Sequence, residues 1–441
     1  MNDFSKGHGR AVPSHRLQRL WHLGRATTDL AAGLGARGLF DLARSRGADS
    51  QRIRLSPAAT QRFTDRLARM RGAVMKMGQM MSMDGADVFT PEAAAIMASL
   101  RERAEPMPLS QLAQVLEREY GPQWNQAFRR FDFTPIAAAS IGQVHRAETQ
   151  DGRQLALKIQ FPGVRESIDS DIDNLGMLGR TLGMVPKGAD PQPLLDEARR
   201  QLHQEADYGA EAAALTTYRE LIGADPAFIV PAVHPDLSTS RILAMDYLEG
   251  VSIDRLSEHR FSRQERDRVA TALTDLSLRE LFEFQLAQTD PNFGNYFYQP
   301  ESGRIVLLDF GATARIAPWL VSGFRRLASA GMADDIPAMH QAILDLGYLS
   351  PSAPQANVEA LTELMRLSGE MLRTQGPYDF GHSDLFERIY QRGRELYLAG
   401  AFSELPDPSS LFLHRKFVGT FMLCRRLRAR IDFRAMMGRY L

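Results

Sequence analysis

Two short motifs near residue 300 constrain this chain more than any other feature: QTDPNFGNYFY, then, after one strand-like run, IVLLDFG. They set Asp290, Asn295 and Asp309 in a fixed order and spacing. The residue types answer to one chemistry. A carboxylate can orient an attacking hydroxyl or water, while an amide oxygen and a second carboxylate hold Mg²⁺ between phosphate oxygens. A DFG triplet alone is an ordinary turn after a strand. Two linked motifs in this order point instead to a bound nucleotide and metal.

The 441 residues, 44% hydrophobic, are enough for one large core or two lobes. Lys+Arg and Asp+Glu balance at 53 each, so the basic surplus expected of a nucleic-acid binder is missing and no nucleic-acid partner is expected. One cysteine, Cys424 in FMLC, excludes an internal disulfide framework or a multi-Cys metal site and reads as a core thiol. No run reaches the ~18 apolar residues of a membrane-spanning helix. No signal-peptide pattern opens the chain. The expectation is a cytoplasmic protein, with any membrane association peripheral on the inner face of the cell membrane. Lysine occurs only at 6, 76, 158, 187 and 416, arginine carrying the remaining positive charge. A lysine inside an apolar strand therefore stands out, because arginine's planar fork does not reproduce a compact ammonium. Lys158 in QLALKIQFPGV is that lysine, and Lys76 in MKMGQMMS is the second to explain.

Residues 1–15 are polar and read as a disordered N-terminus. Residues 16–125 read as a helical extension. Its first part, 16–45, is amphipathic with flanking arginines; it either docks on its own protein or makes a peripheral contact with an anionic lipid surface. A second helix, 57–83, carries Lys76-x-Gly78-Gln79, its methionines reading as flexible core filler. Helices at 91–103 and 109–119 follow. Residues 126–250 read as a small lobe with strands and inserted helices, and 251–441 as a helical lobe. Within the first, PIAAASIGQVHRAETQDGRQLALKIQFPGV fits two strands joined at an Asp151-Gly152 turn.

The interval from Asp290 to Asn295 is that of Asp to Asn in the H-R-D-x-x-x-x-N loop of protein kinases, and DFG follows at a kinase-like distance. On that scheme AAASIGQV occupies the place of a glycine-rich phosphate loop, with Ala137, Ala138, Ala139, Ser140, Gly142 and Gln143 beside the nucleotide. Alanine methyls restrict φ/ψ where glycines close on a triphosphate, which predicts altered nucleotide selectivity or slow phosphoryl transfer. A long helix, 193–221, carries Glu205, Asp207 and Glu211. Glu211 is expected to pair with Lys158, and Glu205 with Asp207 to engage Lys76 or the metal. ILAMDYLEG reads as the hinge to adenine, placing Met245, Asp246 and Leu248 along the base. One amphipathic helix, 263–287, leads into the catalytic loop. A new helix begins by Pro318, leaving no room for a peptide-docking platform, so a small-molecule or lipid acceptor, or hydrolysis alone, is favoured. The terminal arginine cluster reads as a solvated face, or as an anionic-lipid or partner contact.

KMGQ (76–79), AAASIGQVHRA (137–147), LALKIQFPGV (155–164), EADYGAEA (205–212), the two motifs around residue 300, and LHRKFVGTFMLCRRLRAR (413–430) together resemble the UbiB (AarF-type) atypical kinases. The resemblance leans to the branch supporting coenzyme Q biosynthesis and runs collinearly from about residue 12. It implies an α+β, protein-kinase-like bilobal fold with the KxGQ extension across the place of a peptide substrate. It also implies ATP/ADP binding with Mg²⁺, weak protein-kinase activity, and an ATPase responsive to lipids and phenolic quinone precursors. Carried over by position, Lys158 contacts phosphate, Glu211 is its ion-pair partner, Asp290 is the catalytic-loop aspartate, and Asn295 and Asp309 hold the metal. Lys76, Gln79, Glu205 and Asp207 are regulatory. Partners implied are quinone-biosynthesis proteins and a lipid surface; oligomeric state is left open. The chain departs from family members with C-terminal membrane helices, and from ordinary kinases in having Gln288-Thr289 where His-Arg precedes the loop aspartate. The competing expectation is a nucleotide-switched, pseudokinase-like module without essential turnover.

Overall fold

The computed structural model describes Lys76 and residues 106–181, 191–258, 260–290, 292–350, 352–398 and 408–441. The expected disordered terminus at 1–15, the helices at 16–45, 57–83 and 91–103, and Gln79 lie outside these residues. The described chain is α+β and divides into two compact units. One holds the described residues to Ala213 with Ala232–Tyr247; the other holds Ala214–Pro231 and everything from Leu248.

The first unit opens with helix α1 (Leu109–Tyr120), then strands β1 (Phe128–Phe131), β2 (Ala137–Ala138), β3 (Gly142–Thr149) and β4 (Gln154–Gln160). Helices α2 (Val164–Thr181) and α3 (Gln192–Glu205) follow, then α4 (Tyr208–Ile222), whose residues from Ala214 on belong to the second unit. After α4 the chain contributes a short strand β5 (Phe228–Ile229) to the second unit and returns as β6 (Ile242–Asp246). The sheet is antiparallel in the order β1-β3-β4-β6, with β2 on the edge of β3. The β3–β4 turn falls where Asp151-Gly152 requires it: Gly152 has φ +87°, open to glycine without a Cβ penalty.

β4 is buried on both faces after its first residue. Strand alternation puts Leu155, Leu157 and Ile159 on one face, in a core shared with Leu112, Leu116, Ile168, Ile172 and Leu202. Each such aliphatic side chain contributes about 1.5–3 kcal/mol on burial. The same alternation leaves Ala156, Lys158 and Gln160 together on the other face. The helix expected over 193–221 is two helices, broken at Ala206-Asp207. The carboxylate of Asp207 accepts the Ala210 N–H at 3.0 Å, so it caps a new helix and ends the old one.

The second unit holds a four-stranded sheet ordered β5-β10-β9-β7, with β7 (Val251–Ser252), β9 (Tyr296–Gln299) and β10 (Arg304–Leu307). Helix α5 runs Arg263–Arg279 and begins with a capping box between Ser262 and Glu265. It stops short of the single helix expected to 287: Glu280–Phe284 is a π turn, and Gln285 is left-handed at φ 51°. That turn re-aims the chain into β8 (Leu286–Gln288), paired with β11 (Thr313–Arg315). Helices α6 (Pro318–Ala333), α7 (Ile336–Asp345), α8 (Gln355–Ser368), α9 (Glu370–Arg373) and α10 (Leu385–Leu398) follow, with α11 (Pro408–Arg426) and α12 (Phe433–Met437) at the C-terminal end. A two-stranded pair, β12 (Tyr378–Asp379) with β13 (Arg430–Ile431), joins the last segments. Among the described residues no helix is long and apolar enough to cross a membrane.

Candidate functional site

Lys158 stands in the centre of β4, opposite Val144 of β3 and Leu243 of β6. Its Nζ donates to both carboxylate oxygens of Glu211, at 2.8 and 2.9 Å. The lysine is 7% exposed and the glutamate 1%. Glu211 lies in the first turn of α4, where unpaired N–H groups and the helix dipole favour a carboxylate. A single ammonium held by two oxygens in so dry a place is rigid, and it is presented from a strand with no freedom to drift. The Tyr208 ring lies 5.4 Å from Nζ and completes the enclosure.

Glu205, at the end of α3, receives Lys76 Nζ at 2.5 Å on one oxygen. Its other oxygen accepts the hydroxyl of Ser140, from the alanine-rich segment. The KxGQ lysine and that segment are thus tied through one carboxylate. Asp207, expected to act with Glu205 on Lys76 or the metal, accepts the Ala210 N–H and caps α4. The contact to Ser140 had no signal in the spacing alone.

The alanine segment is a small hairpin. Ala137 and Ala138 pair with Val144 and Gln143, and the Ala139 N–H donates to the Gly142 carbonyl at 3.0 Å. Gly142 is required by close packing: a Cβ there would overlap the Ile159 carbonyl oxygen and crowd the Tyr208 hydroxyl at 3.1 Å. Gln143, expected beside the nucleotide, turns its side chain into the unit. It accepts the Met107 N–H at 2.8 Å and contacts His145 at 2.7 Å. On β6, Met245 is buried against Ala156 and bridges Val233. The Asp246 carboxylate accepts the Ala232 N–H and faces His234, each at 2.8 Å, which makes it a brace of the strand end. Leu248 begins the second unit.

In the second unit the loop from Asp290 to Asn295, expected to be catalytic, is closed on itself. The Asn295 side-chain N–H₂ is 3.3 Å from the Asp290 carbonyl and 3.4 Å from its Oδ2. This turns the donor end of the amide toward Asp290. The Leu308 N–H donates to the Asn295 carbonyl at 3.0 Å, so Asp309 follows directly from a residue anchored on the loop. Asp309 Oδ1 accepts the Gly311 N–H at 2.9 Å, setting the turn of DFG. Phe310 is buried, its ring 4.5 Å from that of Tyr218. Where ordinary kinases have His-Arg, both the N–H and the hydroxyl of Thr289 donate to the Ala312 carbonyl, at 2.7 and 3.1 Å, joining the loop to the stretch after DFG. Asp290, Asn295 and Asp309 are therefore held in one hydrogen-bonded turn-and-strand unit, a donor set of hard oxygens suited to Mg²⁺.

A family model described as the ABC1 atypical kinase-like domain matches residues 99–343, the segment holding Lys158, Glu211, Asp290, Asn295 and Asp309. Similar curated proteins include atypical kinase COQ8, mitochondrial, of Saccharomyces cerevisiae, 34% identical over 96% of this chain and 84% of the relative. Atypical kinase COQ8B, mitochondrial, of Rattus norvegicus is 35% identical over 96% of this chain and 80% of its own. Among solved structures, the complex of Rv3197 with erythromycin from Mycobacterium tuberculosis matches with a TM-score of 0.61 at 25% identity. That match covers 87% of this chain and 95% of the other. The α+β, kinase-like fold expected from the motifs is the fold of these matches.

Proposed function

The chain belongs to the ABC1 (UbiB-type) atypical kinase family, and from that premise we propose that it is an ATP-consuming atypical kinase supporting coenzyme Q biosynthesis. The observation that carries the reading is the closed loop: Asn295 turned toward Asp290, with its carbonyl anchoring the residue before Asp309. In this reading Asn295 and Asp309 hold Mg²⁺, which neutralises phosphate charge, and Lys158 takes a phosphate oxygen under the orienting hold of Glu211. Asp290 orients the attacking water or hydroxyl. The acceptor is a lipid or quinone precursor, or water, and the protein acts peripherally at a membrane surface with quinone-biosynthesis proteins. Replacing Asp309 by Asn is expected to abolish Mg²⁺-dependent ATP binding in calorimetry. Full binding and turnover by the Asp309→Asn protein would remove the metal assignment.

A second reading is favoured by one contact. Glu205 holds both Lys76 and Ser140, so the alanine segment is fastened to the KxGQ lysine. A nucleotide could then act by loosening that fastening, with shape change rather than turnover as the output. An Asp290→Asn protein that binds ATP but does not hydrolyse it separates the two: rescue of a quinone-deficient strain supports the switch, and failure supports turnover.

A further inference from the structure

Helix α11 packs against α5 and against the short turn Ile253–Ser257. A cavity of about 540 Å³ is lined there by Ser257, Arg266, Arg426, Leu427 and Arg428. All five residues belong to the second unit, and none is part of the Asp290 loop or the DFG turn. Three guanidiniums line one hollow, and no carboxylate lines it. The Ser257 hydroxyl is occupied, donating to the Asp254 carbonyl at 3.0 Å. Arg266 is half-buried: its Nη1 donates to the Phe261 carbonyl at 3.3 Å, while its Nε, shut off from solvent, has no acceptor among the described residues.

The arginines on either side of this hollow are engaged with acids: Arg425 pairs with Glu387 and Arg430 with Asp379. Arg426 and Arg428, between them, meet no carboxylate among the described residues. Nearby acids are already taken, Glu258 by Arg255 and Arg260, and Asp267 by the Arg430 N–H. Nor are the two side chains needed to close the helix. The Ala429 N–H donates to the Cys424 carbonyl and the Arg428 N–H to the Arg425 carbonyl, each at 3.0 Å, a Schellman closure made by backbone alone. Such a closure favours glycine at the position of Arg428, whose φ is +50°. Gly381 makes room for the arginine that stands there, since a Cβ on Gly381 would lie 2.8 Å from Arg428 Cβ. The chain thus accepts backbone strain to place a side chain that satisfies nothing within the fold.

We propose that the hollow between Arg266, Arg426 and Arg428 is a binding site for a phosphate group carried on a larger molecule. Guanidinium forks match phosphate oxygens, and a phosphomonoester offers three of them to three arginines where a carboxylate offers two. A volume of about 540 Å³ falls among small-molecule sites and exceeds what a bare phosphate fills. Soluble phosphate esters and lipid headgroups share this chemistry. The site does not depend on the nucleotide reading of Lys158, Asn295 and Asp309. It also divides the terminal arginine cluster by role: Arg425 and Arg430 brace the fold, while Arg426 and Arg428 are left for a ligand.

The test compares the full wild-type chain with Arg426→Ala and Arg428→Gly. Calorimetry measures glycerol 1-phosphate and, as a carboxylate control, acetate; sedimentation measures phosphatidylcholine vesicles containing phosphatidic acid. Comparing variants with wild type cancels any phosphate taken up elsewhere on the protein. Each substitution is expected to weaken binding of a phosphate-bearing probe roughly tenfold or more, the loss of one charge-assisted fork, and to leave Mg-ATP affinity unchanged. Arg428→Gly is also expected to raise the urea midpoint, because glycine relieves the left-handed backbone. Arginine-dependent binding of the soluble ester assigns the phosphate to a soluble molecule. Arginine-dependent binding of the vesicles alone assigns it to a lipid headgroup, and either result supports the site. Equal affinity of wild type and both variants for every phosphate probe overturns it, as does acetate bound as tightly as the ester. A lowered urea midpoint for Arg428→Gly would mean that the arginine serves the fold, and overturns it too. Wild-type protein that does not bind ATP would sink the nucleotide reading, while the phosphate titrations still decide this site.

Discussion

Lysine is the residue through which most of this molecule can be understood. Each described lysine is buried and faces a glutamate: Lys76 with Glu205, Lys158 with Glu211, Lys416 with Glu280. In a chain that uses arginine almost everywhere else, scarcity of lysine was a legible signal for the first two. Applied evenly, it would also have singled out Lys416. Replacing Glu211 by Gln strands the Lys158 ammonium and is expected to cost roughly 3–5 kcal/mol, read as a lowered urea midpoint. Gly142 gives a second check at this scale. A methyl group there meets the Ile159 carbonyl, so Gly142→Ala is expected to destabilise by about 1–3 kcal/mol; an unchanged midpoint would refute the packing argument. Cys424, expected as a core thiol, is buried beside Thr274, and burial pushes its pKa up to about 12.

Elements were easier to foresee than their ends. The hairpin around Gly152, the helix from Pro318 and the strand holding Lys158 stand where apolar alternation and turn residues put them. Two helices ended early. Asp207 sits within a helical pattern, and only its capping bond to Ala210 shows that it starts a helix rather than continuing one. Asp207→Ala is therefore expected to lose about 1 kcal/mol in chemical denaturation, more than an exposed mid-helix acid would. The second case is α5, where the pattern runs on to 287 but the backbone goes into a π turn at Glu280. The physical reason is tertiary: the Glu280 carboxylate is drawn to Lys416, Tyr218 and the Gln288 N–H, which no local propensity encodes.

Across the whole molecule, pH acts through buried imidazoles. Burial lowers the pKa of His414, in the second unit, to about 4, and its Nε2 is hydrogen-bonded to the Tyr348 hydroxyl. Burial also lowers that of His145 in the first unit, against the raising effect of the Asp132 carbonyl. Both groups bind more protons unfolded than folded below their ordinary pKa of about 6.5. Their contribution is whole above that pH and is lost as pH falls toward the folded values. For His414 the window is about 6.5 down to about 4, amounting to about 3 kcal/mol. Denaturation midpoints are expected to decline through this range in wild type and to decline less in His414→Phe. Equal slopes would refute the assignment.

Sequence alone determined the residue types and their order along the chain: an amine on a buried strand, an acid on a following helix, then Asp, Asn and Asp at motif spacing. Those are properties of local pattern and chemistry, which a chain carries in one dimension. Contacts between distant segments were decided only on folding. Ser140 meets Glu205 across 65 residues and Glu280 meets Lys416 across more than twice that, because burial leaves each charge or hydroxyl no water to turn to. Which partner satisfies it depends on which elements pack beside it.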